Sequence, residues 1–184
     1  MGKVATAVSL PFAVAAVGGL LGILTNLSHA AISGEYFSLV LNRGGSPQSI
    51  AFEHGWIEGG ISGFAFGLLL TLFAGASGWA WLSWRNMVRP VVFGLIAAAI
   101  CMIVGGIAGA TWAAVSSDSF ISNFRQARRA SNVVAFAWVG GSIWAAYGGV
   151  LVAMITAAVV WTRQLVRLAV AERGFAVEAV ASDE

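Results

Sequence analysis

Four long apolar segments dominate this 184-residue sequence and constrain its fold more than any other feature. They lie at about residues 4–27, 52–81, 90–113 and 133–161, and a helix needs about 20 residues to cross the hydrocarbon layer of a membrane. Only 10% of the residues are charged, whereas soluble domains carry roughly a quarter. The sequence therefore predicts an all-α, four-span integral membrane domain, with a cytoplasmic helical tail at about residues 162–184.

The ten basic residues predict the orientation of these spans. On alternate sides of the membrane they divide into Lys3, Arg85, Arg89, Arg163, Arg167 and Arg173 against Arg43, Arg125, Arg128 and Arg129. The larger group is expected in the cytoplasm, which places both termini there, in a bacterial inner membrane. Because these residues lie in short loops, we interpret them as topology signals and as contacts for lipid headgroups. We predict no nucleic-acid partner.

Tryptophans near the ends of the apolar segments indicate where the headgroup layers lie, because indole rings prefer that level. The predicted interfacial anchors are Trp56, Trp79, Trp81, Trp84, Trp112 and Trp161. The loops between the segments add two short interfacial helices to the prediction, one at residues 35–43 and one within residues 116–132. The second combines phenylalanines with arginines, the composition of a helix that lies in the membrane surface.

The two halves of the chain are similar, which predicts two related helical hairpins. The segment VGGLLG at residues 17–22 matches VGGIAG at residues 104–109, and Gly59 and Gly60 align with Gly140 and Gly141. An internal duplication explains these matches, and so does a chance alignment of spans rich in glycine and alanine. A duplication would relate the two hairpins by an axis along the membrane normal.

Glycines recur at four-residue spacing in every span, and small residues at this spacing let membrane helices approach closely. These predicted packing residues are Gly18, Gly22, Gly55, Gly59, Gly63, Gly67, Gly105, Gly109, Gly141 and Gly149. We expect them to pack the bundle within one chain. Because every span carries such a row of glycines, one row could also contact another subunit in a homo-oligomer or a larger membrane complex.

The polar residues between the first two spans are the candidates for chemistry. Glu58 lies about one helical turn inside Trp56, and an ionisable group at such a depth is a functional candidate. His54 precedes Glu58 by four residues, so the two share a helix face, and His54 or an arginine of the third loop could pair with it. With His29, Glu35 and Glu53 these residues form the set of candidate ion-binding residues: Glu58, His54, His29, Glu35 and Glu53.

The same set could build a histidine and carboxylate metal site on the outer face. No paired Glu-x-x-His motif and no His-Glu-x-x-His motif is present, so we predict no metal site and no catalytic residue. A structural role for Glu58, paired with an arginine or in contact with interfacial water, remains the alternative to a functional one. The sequence does not define a cofactor.

The stretch NLSHAAISGEYFSLVL resembles a family of uncharacterised bacterial four-span membrane proteins that carry Ile-Ser-Pro-Glu-Tyr-Phe after the first span. Glu35, Tyr36 and Phe37 match that motif, and Gly34 replaces its proline. The last span is similar too, with a tyrosine before a glycine pair at residues 147–149, although a histidine usual in that span is missing. The resemblance implies the four-span architecture and no particular activity.

Three functions are consistent with these residues. The leading hypothesis is a non-catalytic accessory or structural subunit, which packs through glycine-rich faces into a homo-oligomer or larger membrane complex. Its partners would include membrane lipids, and its tryptophans and apolar grooves would suit pigment or lipid ligands equally. The second is a small ion- or proton-coupled transporter or channel that uses Glu58. The third is a membrane enzyme with a histidine and carboxylate site at the outer face.

Overall fold

The computed structural model describes residues 2–42 and 44–181, with side chains up to Glu172. The described residues form five α-helices and no strand. The helices are α1 (Lys3–Leu41), α2 (Pro47–Gly78), α3 (Trp84–Val115), α4 (Ser117–Asn123) and α5 (Val133–Ala181). Short 3₁₀ turns follow α2 at Trp79–Trp81 and α4 at Arg125–Arg129. The prediction of an all-α fold is confirmed.

Four of these helices, α1, α2, α3 and α5, are long and apolar enough to cross a membrane. They coincide with the four predicted segments, and each begins or ends beyond the predicted limits. The extra turns are possible because a helix satisfies its own backbone hydrogen bonds in either lipid or water. The prediction of four long apolar helices is therefore confirmed, and each helix is longer than the segment that predicted it.

Helix α1 differs most from its predicted limits. It continues to Leu41, through the polar segment expected to be a loop, and breaks at Ser33, where φ is −149° and ψ is 85°. The helix expected at residues 35–43 is thus the last part of α1 beyond this break. Asn42 ends it in the left-handed conformation, with φ at 47°.

The starts of α2 and α3 follow from local capping. The Ser46 side chain accepts a hydrogen bond from the Ser49 backbone N–H, and Pro47 takes the first helical position, where no N–H is needed. The Ser83 side chain caps α3 in the same way. Pro90, expected to open the third span, lies inside α3.

Helices α1 and α2 pack along each other as one hairpin, and α3 packs along α5 as the other. Backbone touches backbone in both. A methyl group on Gly18 would overlap the carbonyl oxygen of Gly59, and one on Gly105 would overlap Ala145 and crowd the carbonyl oxygen of Gly141. Close approach of this kind maximises van der Waals contact where lipid removes the hydrophobic drive for association.

The two hairpins meet mainly through α5, which contacts both α1 and α2. Two clusters of buried side chains hold this interface, one at each end of the bundle. Tyr36 and Phe136 belong to the first, and Phe66 and Trp161 belong to the second. Between them the hairpins separate and leave an internal space.

Candidate functional site

Glu58 joins the two hairpins through its carboxylate. The hydroxyl of Tyr147 in α5 donates a hydrogen bond of 2.7 Å to Glu58 Oε1, and His54 Nδ1 lies 3.0 Å from the same oxygen. Glu58 is 11 residues inside α2, or about 16 Å along the helix axis. One carboxylate oxygen therefore has two polar partners, one from each hairpin.

The site lines a cavity of about 240 Å³ between the hairpins, here called the Glu58 cavity. Its wall is mostly apolar, as is usual for sites in which a few polar groups fix a ligand. The polar side chains in the wall are Thr25, Asn26, Glu58, Ser62 and Tyr147. Glycines of α1 and α2 also line the wall: Gly18, Gly22, Gly55, Gly59 and Gly63.

The spacing of four residues explains why His54 and Glu58 meet, since positions i and i+4 stack on one helix face. Both side chains are partly exposed, at 22% for His54 and 31% for Glu58. Of the two partners expected for Glu58, the histidine is the one found. Within the described residues, no arginine of the third loop pairs with it.

Glu35 and His29 lie outside this pair, and Glu53 is the residue directly before His54. Glu35 accepts a 2.7 Å hydrogen bond from the Ser131 backbone N–H, so it ties the end of α1 to the segment before α5. His29 is buried in α1, and its Nδ1 has no hydrogen-bond partner among the described atoms. Glu53 is exposed on α2. Among the described residues, no three histidine, cysteine or acidic side chains form a group that could hold a metal ion.

Tyr147 is a residue of the site that the sequence-based prediction did not include. It is one of two tyrosines in the chain and lies 14 residues inside α5. A tyrosine far inside an apolar span needs a hydrogen-bond partner for its hydroxyl. The position of Tyr147 in the sequence therefore already indicated a polar contact. The sequence gives no register between α2 and α5, however, so it could not identify Glu58 as that partner.

The tryptophans expected at the interfaces differ in exposure, and Trp81 and Trp84 are partly buried. Trp56, Trp79 and Trp112 expose between 40% and 49% of their surface, whereas Trp161 is fully buried. The indole N–H of Trp161 donates a 2.9 Å hydrogen bond to Ser77 Oγ. Trp161 thus belongs to a cluster of buried side chains that packs the bundle.

The four span-length helices are compatible with an integral membrane protein. Comparison with protein-family models, with curated proteins and with solved structures finds no match. The function is therefore argued from the geometry of the site.

Proposed function

We propose that the protein is a small ion- or proton-coupled transporter or channel in which Glu58 is the binding group. The observation that supports this proposal is the position of Glu58 in the wall of the cavity between the hairpins, with Tyr147 and His54 on one oxygen. Ionisable groups at membrane depth that face a cavity mark ion and proton pathways. Glu58 and His54 can each bind a proton, and Glu58 and Tyr147 offer oxygen ligands to a cation.

The packing supports movement of the kind that transport needs. Backbone contacts fix α1 to α2 and α3 to α5, while the contact between the two pairs includes a cavity. Rigid elements that move against each other around a fixed site are the usual basis of alternating access. The hydrogen bond from Tyr147 to Glu58 crosses that boundary, so binding at Glu58 would compete with it.

The test is flux through vesicles that contain the purified protein. We expect proton or sodium flux above that of empty vesicles, and a loss of about tenfold or more in Glu58→Gln, which keeps the shape and removes the charge. Glu172→Gln is the matched control, because Glu172 is exposed near the far end of α5. Equal flux in Glu58→Gln and the parent protein would contradict the proposal.

The accessory-subunit hypothesis draws less support from the geometry. The glycine ridges that suggested it contact each other inside the chain, notably Gly18 with Gly59 and Gly105 with Gly141. They are therefore occupied before any partner binds. Native mass spectrometry of the protein from its own membrane tests this hypothesis directly, since other proteins at fixed stoichiometry would favour it.

A further inference from the structure

A second cavity of about 410 Å³ lies at the end of the bundle that carries α4. This volume is within the range of sites that hold small ligands. Aromatic rings dominate its wall: Tyr36, Trp112, Phe120, Phe124, Phe136 and Trp144. It is here called the aromatic cavity, and it is separate from the Glu58 cavity because the two share no lining residue.

Several of these aromatic rings contact each other around the aromatic cavity. Trp112 of α3 meets Phe120 of α4 edge to face at 5.5 Å between centroids and meets Phe124 at 5.8 Å. Tyr36 packs on Phe136 at 5.1 Å. The edge-to-face contacts of Trp112 are favourable beyond the area they bury. They therefore help to fix the positions of these rings.

Small residues supply the space between the rings. Gly140 faces the Tyr36 ring, which would lie 3.0 Å from a methyl group at that position. Gly109 and Gly141 also line the cavity. The result is a mostly apolar chamber, which suits a hydrocarbon chain.

Three arginines lie close in the chain to residues that line the aromatic cavity. The turn Arg125–Arg129 follows α4, and its Gln126 lines the cavity. In a 3₁₀ turn, residues three apart share a face, which places Arg129 on the side of Gln126. Arg125, Arg128 and Arg129 are exposed, and within the described residues they make no ion pair or hydrogen bond.

Two acidic residues near this turn, Glu35 and Asp118, form no ion pair with these arginines within the described residues. Glu35 is bound to the Ser131 N–H, and Asp118 lies exposed on α4. The Tyr36 hydroxyl is a further unused donor, since no described residue bonds to it.

We infer that the aromatic cavity binds an acyl chain of an anionic membrane phospholipid, whose phosphate lies against Arg125, Arg128 and Arg129. An apolar chamber beside unpaired cations matches the two parts of such a lipid, and basic residues near a membrane surface attract anionic headgroups. The inference concerns a different site from Glu58 and does not depend on transport.

The experiment measures lipid retention by the full chain. The protein is purified in mild detergent, incubated with equal amounts of phosphatidylglycerol and phosphatidylcholine that carry identical acyl chains, and examined by native mass spectrometry. We expect phosphatidylglycerol to be retained about fivefold more than phosphatidylcholine, the effect of one basic residue beside an anionic headgroup. Equal retention of the two lipids would overturn the inference.

Two sets of variants separate the headgroup from the chain. The triple variant R125Q/R128Q/R129Q should lose the preference for phosphatidylglycerol, while the matched triple R85Q/R163Q/R167Q at the other end should keep it. Ala108→Phe and, separately, Val40→Phe fill the aromatic cavity and should reduce retention of both lipids by about fivefold or more. A preference that survives the first triple, or retention that survives both filling variants, would contradict the assignment.

Discussion

Tyr147 links the two hairpins through a single side-chain hydrogen bond to Glu58. Hydrogen bonds between membrane helices contribute about 0.6 kcal/mol on average and about 1.7 kcal/mol at most. Tyr147→Phe should therefore lower the free energy of unfolding by about 0.5–1.7 kcal/mol, measured by denaturant titration in detergent micelles. Tyr36→Phe is the matched control, because the Tyr36 hydroxyl has no partner among the described residues. Equal effects of the two variants would show that the bond contributes nothing to stability.

At the level of single residues, the sequence identified Glu58 and His54 but not their surroundings. The helical spacing was sufficient to pair them, since it is a property of one helix. The contact with Tyr147 and the burial of Trp161 both depend on how separate helices turn toward each other. Apolar residues surround each span on all sides, so periodicity could not reveal which face would meet another helix.

The glycine ridges determine how the helices pair. Gly59 has no room for a side chain, since a methyl group there would overlap the carbonyl oxygen of Gly18, whereas Gly148 has no atom within 4 Å. Gly59→Ala should cost about 2 kcal/mol or more in unfolding free energy. Gly148→Ala should be neutral or stabilising by up to about 1 kcal/mol, because alanine is the better helix former. A comparable loss in both variants would argue against the pairing of α1 with α2.

The pairing of α3 with α5 can be tested with the single native cysteine. A methyl group on Gly149 would lie 3.1 Å from Cβ of Cys101, close to the spacing of about 3.8 Å in disulfides. Gly149→Cys should therefore form a disulfide with Cys101 under a mild oxidant, which protects both thiols from a maleimide reagent. Gly148→Cys should keep both thiols reactive. Free thiols in the oxidised Gly149 variant would show that α3 and α5 are not aligned as described.

Element positions were predictable and element ends were not. The four apolar segments follow from hydropathy alone, which is why the span count was correct. The end of α1 was placed near residue 27 because Asn26, Ser28 and His29 are polar. The structure buries Asn26 and His29 against neighbouring helices, and packing of this kind permits a polar stretch to remain helical.

Contacts in the two hairpins correspond more closely than the sequence alignment suggested. Gly19 faces the ring of Trp56, and Gly106 faces the ring of Trp138. Gly59 and Gly141 make equivalent contacts with α1 and α3. This pairs Gly59 with Gly141, whereas the sequence alignment paired it with Gly140. In this register Glu58 lies opposite Gly140, so the carboxylate has no counterpart in the second hairpin.

The molecule as a whole consists of two tightly packed hairpins with a cavity between them. A larger side chain should therefore be tolerated in the cavity and not in the packed core. Ala146 lines the Glu58 cavity, whereas Ala157 is fully buried in the core. Ala146→Leu should change the unfolding free energy by less than about 0.5 kcal/mol, and Ala157→Leu should cost about 1–3 kcal/mol. The same Ala146 variant should reduce any flux that depends on Glu58, because the new side chain occupies the cavity. Strong destabilisation by Ala146→Leu would mean that the hairpins pack without this space, and Glu58 would then be a structural residue of a closed interface.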